Sequence, residues 1–496
     1  MVSPPPRAAA GPVASPSMSF ERLWGWLALA LPALGGLLAP ISMVDLAYQL
    51  RAGHQILGSG RIPAVDTWTS TVAGVPWLDQ QWGAQVALSA VAGLAGWPGL
   101  PILRALLIAV AFAAIAAACR ERGAGHRAGA MLGLLAFLLA SPALALRPQL
   151  FGILLFALTL WLLAGRRRAP RRTWAVPALA LLWANAHGSF VLAPALVGWA
   201  LVEDVLDRQP AAARRSAALL VLTAAATCVT PFGPGVWQYA VVLSGNPELA
   251  SRVSEWRPPT LGDPVGIAFL VSLLVVVLFV IVARRHGKRA SLPTLGLLAG
   301  LAILGLRAVR GIAWWPLGAV VAIAPLLPGR AAGPAESAPR PTPPRIARLN
   351  RVVAGITALA VALLALSWLP ADPFAPGSPR FTSAPAGVAA AIAAEPAGMR
   401  VFHPQTWGSW LSYAAPDALV FADSRIELFP AAVWADYDVI ATGAPGWDVV
   451  LADRSIDLVA VAPRDTTFAA RLRAAGWSET YAGPDGWVFR SAGGGA

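Results

Sequence analysis

Residues 22–60 read RLWGWLALALPALGGLLAPISMVDLAYQLRAGHQILGSG, and the way they divide decides the fold. From Leu23 to Val44 the chain is apolar and free of charge, and a run of about 20 such residues is long enough to cross a bilayer. At Asp45 the pattern changes. Leu46, Leu50, Gly53 and Leu57 fall on one helical face, with Tyr48, Arg51 and Gln55 on the other. That is an amphipathic helix lying along a membrane interface, ended by Gly58-Ser59-Gly60. Asp45 sits at the junction, where an N-cap is the simplest role for it and a carboxylate held at the mouth of a helical bundle is the functional one.

Working outward, ten more apolar stretches follow, at about 100–119, 128–146, 149–165, 174–186, 190–206, 216–230, 265–284, 291–306, 311–328 and 351–369. The chain of 496 residues is 57% hydrophobic and 13% charged, against about 25% charged in soluble domains. It reads as a polytopic α-helical membrane protein of about 11 transmembrane helices. Arginines gather in every second gap: Arg22, Arg120 to Arg127, Arg166 to Arg172, Arg208 to Arg215, Arg284 to Arg289, and the 329–350 linker. Short basic loops stay in the cytoplasm, so all of these face inward, provided that 82–97 (WGAQVALSAVAGLAGW) does not cross and forms an interfacial or half-inserted helix. The N-terminus is then cytoplasmic. The net charge of +13 belongs to these loops and to anionic lipid, not to nucleic acid.

Three regions result: a disordered Pro/Ala/Ser tail at 1–19, a transmembrane domain at 20–370 with a large first outer loop at 45–99, and a soluble extracytoplasmic region at 371–496. The last carries 8 arginines against 13 acids and alternates strand and helix patterns. RVFH, ALVFA and DLVAVA read as strands, and WSETYA and GWVFR form a hairpin around GPDG, which predicts a small α/β domain. Cys119 and Cys228 are far apart and read as apolar packers. No metal-ligand spacing is present, so cofactors stay unknown, with a divalent metal open but unsupported.

Sidedness sorts the polar residues. On the outer side the membrane part offers six acids: Asp45, Asp66, Asp79, Glu248, Glu255 and Asp263. Asp66 reads as a turn residue or a catalytic assistant, and Asp79 as a solvated interface residue. Arg147, His187, Glu255 and Arg310 interrupt apolar surroundings at span ends on that same side, where a charge must snorkel, pair or serve a site. Arginines there suit a phosphate or diphosphate. P-loop, dinucleotide, HExxH and nucleophile-elbow motifs are absent from the sequence.

DLAYQLRAG (45–53), SGRIPAVDTWTSTVAGVPWLDQQW (59–82), LRPQLF (146–151), WANAHGSF (183–190), TPFGPGVW (230–237), SEWRPP (254–259), WGSWLSY (407–413) and VFADSRIELF (420–429), in this order, resemble the GT-C superfamily of membrane glycosyltransferases, and within it a bacterial group with mannosyltransferase-like cores. The resemblance implies a sugar transferred from a polyprenyl-phosphate donor to an envelope glycan, lipid or protein acceptor, in the bacterial cytoplasmic (inner) membrane. It implies an acidic base in the first outer loop, the place Asp45 occupies. The chain departs from many relatives in having no adjacent acidic pair there. The expected site is Asp45 as base with Asp66 assisting, and Arg51, His54, Arg147, His187, Glu255, Arg310, Asp423 and Arg425 binding substrate. The alternative is a non-catalytic scaffold or a transporter in polysaccharide assembly. Spans nearly free of ionisable groups count against the transporter.

Overall fold

The computed structural model describes residues 18–327, 342–369 and 380–492, apart from the side chains of Pro247 and Glu248. The expected tail at 1–19, except its last two residues, and much of the 329–350 linker lie outside the described residues. Among the described residues, fourteen α-helices build the membrane part together with the outer loops nearest the bundle: α1 (Phe20–Leu38), α2 (Met43–Ser59), α3 (Trp82–Glu121), α4 (His126–Ala140), α5 (Pro148–Ala164), α6 (Val176–Ala184), α7 (Leu192–Leu206), α8 (Pro210–Thr227), α9 (Gly235–Ser244), α10 (Pro247–Arg252), α11 (Pro264–Arg285), α12 (Leu292–Arg307), α13 (Trp314–Ile323) and α14 (Pro344–Leu366). A helix occupies each of the eleven expected stretches. Among the described residues, six helical segments are both long and apolar enough to cross a membrane: Trp82–Glu121, His126–Ala143, Gly188–Leu206, Pro264–Arg285, Val309–Leu326 and Pro344–Leu366. The chain is a multi-pass membrane protein. Only 11% of the α11 window and 6% of the α14 window are buried by protein, so their apolar surfaces need lipid. The segment around α13 is the opposite, 78% buried, with Trp314 packed on Phe156 and Trp183 at the bundle centre.

Two boundaries differ from expectation. The first span stops at Leu38 rather than near 44, because Pro40 cannot donate to a continuing helix. The freed Ile41–Ser42 becomes strand β1, paired in parallel with β2 (Phe381–Thr382) at the entrance to the soluble region. The stretch 82–97 is a helical arm joined to the next span in one long element, α3, broken at Gly96, whose φ is 62° and ψ −163°. Only glycine adopts that conformation cheaply. The first arm lies against α2, where Gly53 touches the Gln85 carbonyl so closely that any Cβ would collide with it.

The bundle has two chemically distinct ends. Helix α5 is preceded by Arg147 and followed by Arg166, about 28 Å apart at 1.5 Å per residue. At the far end Arg166 pairs with Glu203 and Asp204, Arg122 forks onto Glu203 at 2.9 and 2.7 Å, and Arg167 joins Asp204 to Asp207. Three of the arginine-rich gaps therefore meet there. Arg147, His187 and Arg310 lie at the opposite end, as does the soluble domain.

That domain contains α15 (Ala386–Ala393), β3 (Arg400–Phe402), α16 (Gly408–Ala414), β4 (Leu419–Val420), α17 (Ala431–Thr442), α18 (Trp447–Asp453), β5 (Leu458–Val461), α19 (Thr466–Ala474), β6 (Ser478–Gly483) and β7 (Gly486–Arg490). The sheet order is β4-β3-β5-β7-β6, parallel through β5 and closed by the antiparallel hairpin. The first outer loop covers its edge. Thr69 bridges to Val420, with the Ser70 amide donating to the Val420 carbonyl at 2.9 Å and the Val420 amide to the Trp68 carbonyl at 3.1 Å.

Candidate active site

Ser42, not Asp45, caps α2: its Oγ accepts from the Val44 amide. Asp45 stands one turn in, with its carboxylate free for other work and favoured by the helix N-terminus. It accepts from Arg147 at 3.3 Å, and the other terminal nitrogen of Arg147 reaches Glu255 at 2.9 Å. Arg147 precedes α5, and Glu255 lies in the 3₁₀ turn Ser254–Trp256. The next residue, Trp256, lies flat beneath the Arg310 guanidinium, 4.2 Å from ring centre to Cζ. Arg310 lies close enough to Arg147 and His187 to repel positive charge on them, yet among the described residues no carboxylate comes within ion-pair distance of it. His187 accepts the Ser189 amide at Nδ1, 3.1 Å away, which leaves the ring proton on Nε2. Asp45, Arg147, His187, Glu255 and Arg310 thus form one cluster at one end of the bundle.

The other expected residues form a separate group, and it is a clamp. Arg425 is 1% exposed and its guanidinium meets Asp66 and Asp423 at 2.6 Å each, both carboxylates fully buried. Trp68 and Trp77 flank it at 4.2 and 4.5 Å. Asp66 also accepts from the Thr69 amide and hydroxyl at 3.1 and 2.7 Å. A carboxylate with no exposed surface, already held by a turn and an arginine, is not placed to take a proton from an acceptor, which corrects the assisting role expected of Asp66. Asp423 and Arg425 are likewise committed to each other rather than to substrate. Arg51 donates to the Ser412 and Pro416 carbonyls and so docks the soluble domain. His54 is exposed on the far side of α2 and joins neither group.

Sequence reasoning missed three contributors. Glu427, two residues beyond Arg425, receives a hydrogen bond from the Tyr239 hydroxyl at 3.4 Å, and burial pushes its carboxyl above the usual range. Tyr48 lies one turn from Asp45, among Asp45, Glu427 and Asp79, and burial followed by these charges raises its phenol well above its ordinary value. Asp79 is 3% exposed rather than solvated. Burial pushes it up to about 7 against the hydrogen bond from Gln85. The run VFADSRIELF, with three charges at alternate positions in an apolar strand exit, was the available signal for Glu427.

Among the described residues no three His, Cys, Asp or Glu side chains converge as a metal centre requires. Asp45 and Glu255 are bridged by Arg147 instead, so the residues present do not fit a divalent cation.

No family model and no curated protein matches this sequence. Solved structures do. The oligosaccharyltransferase of Archaeoglobus fulgidus, tethered with an acceptor peptide, aligns over 95% of this chain and 74% of its own at 11% identity and TM-score 0.56. The oligosaccharyltransferase AglB from Archaeoglobus fulgidus, in complex with an inhibitory peptide and a dolichol-phosphate, aligns over 89% of this chain and 69% of its own at 11% identity and TM-score 0.55. ArnT of Cupriavidus metallidurans, bound to undecaprenyl phosphate, aligns over 94% and 98% at 15% identity, but its TM-score of 0.49 is below the level at which a shared fold follows. At 11% identity the likeness establishes architecture alone: this chain shares the fold of that membrane oligosaccharyltransferase.

Proposed function

We propose that this protein transfers a sugar from a polyprenyl-phosphate donor to a cell-envelope acceptor, at the membrane face that carries the soluble domain. The observation that carries this is Arg310. A guanidinium stacked on Trp256, beside a second arginine and without a carboxylate partner among the described residues, calls for an anion, and a lipid phosphate supplies one at the end of a helical bundle. The dolichol-phosphate held by AglB supports the same class of donor.

In this reading an acceptor oxygen attacks the anomeric carbon as the bond from that carbon to the phosphate oxygen breaks. The electron pair leaves with the lipid phosphate, where Arg310 and the Nε2–H of His187 stabilise it. Asp45 receives the acceptor's proton. Arg147, fixed between Asp45 and Glu255, orients both acids and adds positive field. Asp66, Asp423, Arg425 and Arg51 hold the soluble domain in place. The arginine-rich opposite end supports a cytoplasmic N-terminus in the bacterial inner membrane.

The test uses protein in nanodiscs. Undecaprenyl phosphate is titrated and binding followed by native mass spectrometry, while transfer is followed from polyprenyl-phosphate sugars in membranes. Arg310→Ala should abolish lipid-phosphate binding. Asp45→Asn should retain it and lose transfer at normal expression. Undiminished cellular function in Asp45→Asn would instead mark a scaffold.

A further inference from the structure

The groups that touch His187 form a chain with one possible direction. Trp183, fully buried in α6, donates its indole N–H to the Ser189 Oγ at 3.0 Å. That oxygen lies 2.7 Å from the His187 Nδ1, and the Ser189 amide donates to the same nitrogen at 3.1 Å. An indole N–H only donates, and so does a backbone amide. The amide makes Nδ1 an acceptor and the indole makes the serine oxygen one. The serine proton therefore points to Nδ1, and the imidazole proton sits on Nε2. Nε2 has no partner among the described residues, and unlike the Nε2 of His403 it is not sealed off. The charges that act on this ring are those of Arg310 and Arg147.

The frame around the chain is aromatic and tight. Trp183 meets the Phe156 ring edge-to-face at 6.3 Å and the Trp314 ring at 6.2 Å. Trp314 opens α13, one turn after Arg310, and Trp183 stands one turn before His187. One stack thus anchors both groups that the transfer reading turns toward the phosphate. Gly152 of α5 closes the other side. A Cβ there would come within 2.9 Å of the Ser189 Oγ, 3.1 Å of the Trp183 Nε1 and 3.4 Å of the His187 Nδ1, so a larger residue would push into the chain.

We infer that Trp183 and Ser189 are positioning residues for the lipid phosphate: through their hydrogen bonds they hold His187 with its Nε2–H turned to the anion that Arg310 binds. The inference rests on the transfer reading above and extends it from the groups that meet the phosphate to those that aim one of them. A neutral imidazole offers one donor and one acceptor. Turned over, it would present a lone pair to the phosphate and repel it. A histidine that merely caps the 3₁₀ turn Gly188–Val191 needs the Ser189 amide alone. The hydroxyl, the indole and the bare Gly152 then have no purpose at this place, whereas a ring that must keep one orientation needs all three.

The experiment uses the full-length protein in nanodiscs, isotope-labelled at histidine nitrogen, with undecaprenyl phosphate titrated in. The His187 nitrogen resonances are assigned by their loss in His187→Ala. Ser189→Ala should move the Nδ1 resonance toward that of an unbonded ring nitrogen. It should also weaken undecaprenyl phosphate about two- to tenfold, the worth of one hydrogen bond. Trp183→Phe, which keeps a ring in the stack and removes the donor, and Gly152→Ala should shift both readouts the same way. In a His187→Ala background, Ser189→Ala should cost no further affinity. An equal loss there marks ordinary packing and overturns the inference. So does a Ser189→Ala protein whose Nδ1 resonance stays in place, or one whose resonance moves while its affinity holds. Arg310→Ala separates the two readings. If it keeps undecaprenyl phosphate while Ser189→Ala weakens it, the donor reading fails at Arg310 and the positioning of His187 stands. If it loses undecaprenyl phosphate while Ser189→Ala binds as the wild type does, the positioning fails alone. A wild type that binds none overturns both.

Discussion

The clamp between the first outer loop and the soluble domain yields the sharpest prediction. Arg425 is closed in by Asp66, Asp423 and two indole rings, with all three charged groups at most 1% exposed. Replacing Arg425 by Gln strands two buried carboxylates, and removing one partner of a buried pair costs about 3–5 kcal/mol. The partner segments are joined locally by the Ser70-to-Val420 and Val420-to-Trp68 hydrogen bonds, so the cost falls on that bridge. A loss of about 3 kcal/mol raises local opening by roughly two decades. Hydrogen exchange at the Ser70 and Val420 amides, in nanodiscs, measures it. Asp66→Asn keeps the shape of the turn and removes one charge, so it should open the bridge less. The double variant should open it less than the two single effects combined, by about 0.5–3 kcal/mol of coupling. If Arg425→Gln leaves both amides exchanging within about threefold of the wild type, the ion pair is not what seats the domain.

Four further outcomes follow. Burial holds Asp79 at about 7, against 3.8 when unfolded, so the unfolded chain ionises first and stability is lost as pH rises between those values. Asp79→Asn should leave the melting temperature unchanged near pH 4 and raise it by pH 7, by an amount of order 3 kcal/mol. His403 is held neutral down to about 4 instead of 6.5 by burial, so the soluble domain should lose stability as pH falls through that window, and His403→Gln should flatten the dependence in a denaturant series. Gly53→Ala should lower thermal stability by about 1–3 kcal/mol or more, since its methyl meets the Gln85 carbonyl; an unchanged melting curve would mean that α2 can shift freely. Glu427→Gln removes a titrating group and should broaden the pH profile of transfer while leaving undecaprenyl phosphate binding intact, as direct titration of the variant would show.

Much of this was legible because charge is conspicuous in an apolar chain. Arg147, His187, Glu255 and Arg310 stood out at span ends, and the alternation of arginine-rich gaps assigned them to one side. Hydropathy period and turn chemistry likewise marked the hairpin around GPDG and the strand DLVAVA. What stayed hidden depended on docking. Asp66 carries every local mark of a turn acid, and its partner lies 359 residues away, beyond the reach of any period. Asp79 looked solvated because nothing in DQQW says that Gln85 and the soluble domain will enclose it. Leu57 shares a helical face with Leu46, Leu50 and Gly53 but is 52% exposed while those three are buried, since only the first turns of that face are covered by protein.

The seam where β1 meets β2 bears on the order of manufacture. Trp368 also donates to the Leu37 carbonyl at 3.1 Å, across 331 positions of chain, so the first helix to leave the ribosome waits for nearly the last before its own end is secured. Glu427 and the clamp arrive later still. A truncated or half-translated molecule therefore has its arginines in place but lacks the last groups to pack against the Asp45 end of the bundle. Closure is built into the connectivity: the first helix is tied down only by segments made near the end of synthesis.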